Sequence, residues 1–226
     1  MTLRYSLWVS AAITLIGCGA QNVGLLDPRD QSLPAETRQW IADVEDGVIA
    51  ARTRRDAANR LLDEAYVRRE RLTDEVRFTA VSGTDPSGPL RIMLDSRVAF
   101  AQLNLEYSTA RVELAVHKQR LANAEQALIH GIARYDLTRI EASMDSSRAR
   151  VQDLRTELRG QERVTDEQNR EFWSAYEEYV RAGGETVPFW NGLGDSALVE
   201  STVIDSVSGP IQATDDELPP MLRQDD

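Results

Sequence analysis

The side chains best suited to catalysis or metal binding are few in this chain of 226 residues. The only histidines are His117 and His130, thirteen residues apart, so they lie on different turns of any helix that holds both. Neither has a second histidine four residues away, which is the spacing that a helical metal site uses. His117 stands in an apolar stripe, and His130 stands where the end of a helix favours a basic group. We therefore predict no metal site.

Acidic residues are plentiful, and several stand side by side, as in Asp63-Glu64 and Asp74-Glu75. Paired carboxyl groups are candidates for general acid-base catalysis. Arginines, however, stand within one helical turn of many of the acids, and in several pairs the arginine is four residues after the acid, the order that stabilises a solvent-exposed helix. The pairs in this order include Glu64–Arg68, Asp166–Arg170 and Glu177–Arg181. An ion-paired helix surface explains the pattern, so we predict no catalytic or cofactor-binding residue and a protein that is not an enzyme.

The only cysteine, Cys18, ends a short segment with the features of an export signal. Arg4 and the amino terminus supply positive charge, and residues 6–16 form an apolar stretch of eleven residues. A bilayer-spanning helix needs about 20. The end of the segment, Leu15-Ile16-Gly17-Cys18, resembles the lipobox of bacterial lipoproteins. The resemblance implies cleavage after Gly17, a diacylglycerol on the Cys18 thiol and acylation of the freed amine; a plain secretory signal with an incidental cysteine is the alternative.

In bacterial lipoproteins, the residue after the lipidated cysteine influences whether the protein is sorted to the inner or the outer membrane. In the lipoproteins that this signal resembles, an aspartate at that place retains the protein at the inner membrane. Here the residue is Gly19, so we expect the outer membrane, facing the periplasm. Removal of residues 1–17 deletes one base, Arg4, and no acid, which takes the net charge from −11 to −12. Such acidity disfavours nucleic acid as a partner.

Three apolar stripes, with apolar residues three and four positions apart, predict an all-α fold of long coiled-coil-like helices. The expected helices are 34–79, 89 to 130 or 135, and 138–182, with a loop at 79–88. Near-equal lengths favour a three-helix bundle with up-down-up topology. Arg55 and Arg69 interrupt the first stripe, and we expect their side chains to extend into solvent.

The break between the second and third helices rests on two local signals. Gly131 is suited to the left-handed conformation that ends a helix, and Thr138 to Glu141 fit a capping box that begins one. The alternative fold is a helical hairpin with one very long kinked helix over 89–182. That fold would expose the apolar stripe of the last segment and require dimerisation, so a homo-oligomer stays open as an alternative.

The chain divides by composition into four parts. These are a cleaved signal peptide (1–17), the lipidated cysteine with a flexible spacer (18–33), a helical body (34–183) and an acidic tail (184–226). The tail holds nine acids against one base and has no apolar period. We expect it to be mostly disordered, because it cannot bury enough apolar surface to offset its ordering entropy.

Aromatic residues are densest near the end of the third helix. Core packing is the first interpretation of Phe172, Trp173, Tyr176 and Tyr179. If they are exposed, they form the best candidate interface, with Trp190 of the tail folding back onto them. The candidate interaction residues are therefore Phe172, Trp173, Tyr176 and Trp190.

The second helix is similar in one respect to the helical hairpins of outer-membrane efflux channels and their periplasmic adaptors. Leucine and alanine recur through it, as in Leu114-Ala115 and Leu121-Ala122, over about 45 residues. The resemblance implies an accessory role in export or efflux. The favoured expectation is a structural or scaffolding envelope protein that binds the membrane through lipid on Cys18 and binds proteins through its helix faces or tail. A cell-wall-acting enzyme is the remaining alternative.

Overall fold

The structure is a computed structural model, and it describes residues 26–131 and 135–187. Three long α-helices make up most of this part of the chain: α1 (Ala35–Glu75), α2 (Ser87–Ile129) and α3 (Leu137–Arg181). Within the described ranges, the only β pairing is a single bridge between Val81 and Thr84 in the α1–α2 loop. The predicted all-α class and the three separate helices are confirmed.

The stripe predicted for α1 is its buried face. Most of its residues are buried, namely Ile41, Val48, Ala51, Ala58 and Leu72 in the helix and Val76 directly after it, while Val44, Leu62 and Ala65 are half-buried. Of the two arginines that interrupt the stripe, Arg55 is paired with its neighbour Asp56, and Arg69 contacts Asp95 of α2 at 2.5 Å. Both arginine side chains keep more than a third of their surface in solvent. Such exposed ion pairs contribute little stability, so apolar burial dominates along this helix.

The loop between α1 and α2 occupies residues 76–86, three residues earlier at its start than predicted. Ser82 and Gly83 both have positive φ, at 52° and 84°, and form the tight turn. The Asp85 carboxylate accepts a hydrogen bond from the Ser87 backbone N–H at 2.9 Å, at the start of α2. Pro89 lies in the first turn of α2, where a missing N–H removes no intrahelical hydrogen bond.

The break between α2 and α3 is real, so the alternative with one long kinked helix is wrong. Gly131 has φ of 65° and donates its N–H to the Leu128 carbonyl at 3.0 Å, which ends α2 as predicted. The cap of α3 differs from the prediction. Asp136, rather than Thr138, accepts the free N–H of Arg139 at 3.1 Å. Asp136 lies two residues before the predicted cap, and its carboxylate accepts a backbone N–H that the first turn of α3 leaves without an intrahelical partner.

The chain forms two compact units, and each helix contributes to both. Unit 1 comprises Met1–Arg69 and Met93–Glu167, and unit 2 comprises Glu70–Ile92 and Gln168–Asp226. Within unit 1 the helices alternate in direction. Thr37 near the start of α1 bonds to Gln126 near the end of α2, and Ser96 near the start of α2 bonds to Thr165 late in α3. The up-down-up order predicted for the bundle therefore holds in unit 1.

The core of unit 1 mixes large and small side chains. Alanines of α2 are almost completely buried, with Ala110, Ala124 and Ala127 at 1% exposure or less. Small residues at these positions allow neighbouring helix backbones to approach closely, while larger residues fill the remaining space. The larger buried residues include Ile41, Met93, Leu94, Phe100, Tyr107, Val151 and Leu158.

Unit 2 ends with a well-formed helix cap at the predicted glycines. Gly183 has φ of 96° and donates to the Val180 carbonyl, and Gly184 donates to the Tyr179 carbonyl, both at 3.0 Å. This pair of bonds is a Schellman motif, which satisfies carbonyls that the last turn of α3 leaves open. Of the tail predicted at 184–226, only residues 184–187 are described, and the prediction of disorder for the rest lies outside the described residues.

The described part of the predicted spacer contacts the helical body. Residues 26–34 form turns. In them the Asp30 N–H donates to the Asp27 carbonyl, and the Leu33 N–H donates to the Asp30 carbonyl. Leu33 keeps only 6% of its surface in solvent. The absence of an apolar period in these residues predicts a flexible spacer. The buried Leu33 and a long-range hydrogen bond from Leu26 to Asn123 hold them in place instead.

Candidate functional site

Two of the residues that the sequence analysis singled out, Cys18 and Trp190, lie outside the described residues. The lipidation site and the contact between Trp190 and the aromatic group therefore stay predictions. No helix within 26–131 or 135–187 is both long and apolar enough to span a membrane.

The aromatic residues near the end of α3 form a packed cluster in unit 2. Phe172 contacts Trp173 and Tyr176, with ring centroids 5.2 and 6.0 Å apart. Phe78, from the loop after α1, packs edge-on against Tyr179 at 5.3 Å and against Tyr176 at 6.0 Å. Edge-on and offset rings of this kind attract beyond their buried area. The Tyr176 hydroxyl also accepts a hydrogen bond from the Val187 backbone at 3.1 Å.

Burial decides between the two interpretations of this cluster. Phe172 is completely buried, Tyr176 and Tyr179 are also buried, and Trp173 is half-buried. Phe172 and Tyr176 therefore offer little surface to a partner, and their burial favours core packing, the first of the two interpretations. The role of half-buried Trp173 in an interface stays a prediction. Phe78, which the sequence analysis did not single out, completes the cluster from a distant part of the chain.

A second group of contacts lies at the end of unit 1 where α1 begins and α2 ends. The Asn123 side chain, 1% exposed, accepts the Leu26 backbone N–H at 2.7 Å. Its amide also donates to the Gln119 carbonyl at 2.8 Å. Nearby, the Thr37 hydroxyl donates to the Gln126 side-chain oxygen at 2.9 Å. These bonds attach the segment before α1 to the last turns of α2.

A polar network joins α2 to α3 elsewhere in unit 1. The Ser96 and Thr165 hydroxyls lie 2.9 Å apart, and the Gln161 amide donates to the Ser96 hydroxyl at 3.2 Å. Since each polar group has a hydrogen-bond partner, the network specifies how α2 and α3 align. Its hydroxyls have no histidine or carboxylate partner in these bonds, so the network suits alignment of the helices rather than nucleophilic catalysis.

Two titratable groups in α2 have shifted pKa values, and neither shift marks a reaction centre. Burial raises the pKa of the Glu125 carboxyl, and the Glu141 carboxylate raises it further. Burial lowers the pKa of His117, Arg120 lowers it further, and Glu113 opposes the change. Partial desolvation on a helix explains both shifts. Within the described ranges no three His, Cys, Asp or Glu side chains are grouped as a metal site would require.

Several large apolar side chains of unit 1 are exposed, and none of them is among the candidate site residues predicted from the sequence. Ile129, the last residue of α2, is the most exposed of those in the described ranges, at 66%. Val164, in the part of α3 beside Ser96, is 46% exposed. The apolar stripes of the helices do not identify these residues, because an exposed side chain lies outside the buried face that a stripe marks.

The chain matches no protein-family model, and no curated protein or solved structure is detectably similar to it.

Proposed function

We propose that this chain is a bacterial envelope lipoprotein that acts by binding protein partners and not by catalysis. The observation that carries the proposal is Leu15-Ile16-Gly17-Cys18 at the end of an apolar segment too short to cross a bilayer. A cysteine placed there is positioned for diacylglycerol attachment. Two or three acyl chains on Cys18 would hold the protein at a membrane, whereas one chain binds only marginally. Gly19 directs it to the outer membrane, facing the periplasm.

The folded body supports a scaffolding role. It consists of long antiparallel helices in unit 1, aligned by the Thr37–Gln126 and Ser96–Thr165 hydrogen bonds. Aligned helices of 41 to 45 residues present extended, ion-paired faces on which partner helices can dock. The Arg150–Glu113 pair at 2.9 Å is one such exposed contact between α3 and α2.

The test is photo-crosslinking in cells with the probe placed at exposed positions of α1 and α3, followed by identification of the captured proteins. Val67 and Val164 are suitable positions, since both side chains are exposed. The same experiment with Cys18→Ala is the control for location. Capture of envelope proteins that is lost in Cys18→Ala supports the proposal. Unchanged capture with Cys18→Ala contradicts the lipid anchor.

An accessory role in an export or efflux assembly is the second candidate. The buried alanines of α2, Ala110, Ala124 and Ala127, favour it because they allow the close helix approach of a helical hairpin. In the crosslinking experiment, capture of transport components would favour this role over a general scaffold.

A further inference from the structure

The end of unit 1 where α1 begins and α2 ends carries an exposed apolar side chain and lies a short distance along the chain from Cys18. Ile129 is the last residue of α2 and is 66% exposed. The Thr37–Gln126 hydrogen bond, at 2.9 Å, places the first turn of α1 beside the last turn of α2. Ile129 follows Gln126 by one helical turn, so it lies at this same end.

The chain is attached to this end before it reaches the helices. The Leu26 backbone N–H donates to the buried Asn123 side chain at 2.7 Å, and Leu33 is buried. Only residues 19–25 separate Leu26 from Cys18. Even fully extended, eight residue steps reach at most about 28 Å. Asn123 and Ile129 are six residues apart in α2, which is about 9 Å along the helix axis.

The opposite end of unit 1 lies much further from that attachment. Val164 is adjacent in sequence to Thr165, whose hydroxyl lies 2.9 Å from Ser96. Ser96 and Ile129 are 33 residues apart on α2, which corresponds to about 50 Å. A tether of at most about 28 Å that starts beside Asn123 therefore brings the Ile129 end to a membrane and leaves the Val164 end away from it.

We propose that the end of unit 1 formed by Ile129 and the Leu26–Leu33 segment, here called the proximal end, rests on the lipid bilayer surface. The inference rests on the proposed function, because lipid on Cys18 supplies the attachment. Anchoring keeps Ile129 at a high effective concentration near the bilayer, and burial in the headgroup region removes its apolar surface from water. The occupant of this apolar site is thus the membrane and not a second copy of the chain.

The test uses a single thiol placed on the lipidated protein. Cys18 is the only cysteine and its sulfur is occupied by lipid, so Ile129→Cys provides one reactive thiol for a fluorescent label. Val164→Cys is the matched control, an exposed aliphatic residue of the same unit at its far end. Each labelled protein is reconstituted in phosphatidylcholine vesicles, and mass spectrometry verifies the lipid on Cys18 in the same sample. Circular dichroism checks that both variants keep the helical content of the parent.

Quenching then reports what covers each position. We expect a nitroxide on the lipid headgroup to quench the label at position 129 several-fold more than the label at position 164. Aqueous iodide should show the opposite order and quench the label at position 129 less than the label at position 164. Equal headgroup quenching at both positions overturns the inference while the lipid anchor stands. Protection from iodide without headgroup quenching means that protein covers Ile129, which also overturns it. Absence of lipid on Cys18 overturns the proposed function and, with it, this inference.

Discussion

Substitution of Asn123 by alanine tests how the segment before α1 is held. Asn123 is 1% exposed, and its oxygen accepts the Leu26 N–H at 2.7 Å. A hydrogen bond of this kind contributes a net of about 0.5–1.5 kcal/mol. Leu33, buried to 6% exposure, holds the same segment through apolar contact and remains after the substitution. We therefore expect the opening free energy of residues 26–33 to fall by about 1 kcal/mol, which increases the open population roughly fivefold.

Amide hydrogen exchange measures this opening directly. The Asp30 and Leu33 amides donate to backbone carbonyls within the segment, so their exchange reports its opening. In Asn123→Ala these amides should exchange roughly fivefold faster, while buried amides in the middle of α2 keep their rates. Asn59→Ala is the control, because Asn59 is exposed and its amide lies at the limit of hydrogen-bond distance from Asp63, at 3.5 Å. Unchanged exchange at Asp30 and Leu33 would refute the attachment, and equal acceleration throughout α2 would show a global effect instead.

Three further substitutions test the packing and the electrostatics. Phe172→Ala should lower the free energy of unfolding, measured by urea denaturation, by about 3–5 kcal/mol, because the ring is completely buried. A loss below about 1 kcal/mol would contradict the packing of Phe172 in the aromatic cluster. Gly184→Ala should destabilise by about 1–3 kcal/mol, since a Cβ there would overlap the Tyr179 ring. Its control Gly47→Ala, in open space within α1, should stabilise by about 0.5–1 kcal/mol. Burial, and to a smaller extent the Glu141 carboxylate, raise the pKa of Glu125 in the folded protein above its ordinary value of 4.5. The free energy of unfolding should therefore fall as the pH rises from the ordinary pKa towards the pKa of the folded protein. Glu125→Gln should therefore raise the free energy of unfolding at neutral pH, by less than about 1 kcal/mol because the group is half-exposed. Well below the ordinary pKa, the substitution should change the free energy of unfolding little. An equal effect at both pH values would contradict burial as the cause of the pKa shift.

The helices could be predicted from the sequence because their signals are local. The apolar stripe of α1 follows from residue spacing, and Gly131 and Gly183 end helices through their own backbone freedom. The cap of α3 was assigned to Thr138 where Asp136 performs it, since both residues are capable acceptors and spacing alone does not choose between them.

The tertiary contacts could not be predicted, because their partners are distant in sequence. Phe78 joins the cluster of Phe172 and Tyr179 from more than ninety residues away. The Leu26–Asn123 hydrogen bond joins residues 97 positions apart, and no periodic pattern in the segment before α1 predicts it. For the same reason the aromatic group at the end of α3 could be found in the sequence, with core packing as its first interpretation, but the contact with Phe78 could not.

The chemical state of Cys18 tests the central claim most directly. The measurement is metabolic labelling with a palmitate analogue, followed by mass spectrometry of the amino-terminal peptide of the mature protein, with Cys18→Ala as the matched control. We expect a mature chain that begins at Cys18 and carries diacylglycerol on the sulfur and an acyl group on the amine. We expect the Cys18→Ala protein to carry no label. Equal labelling of the two proteins, or a mature chain with an unmodified Cys18, would contradict the central claim.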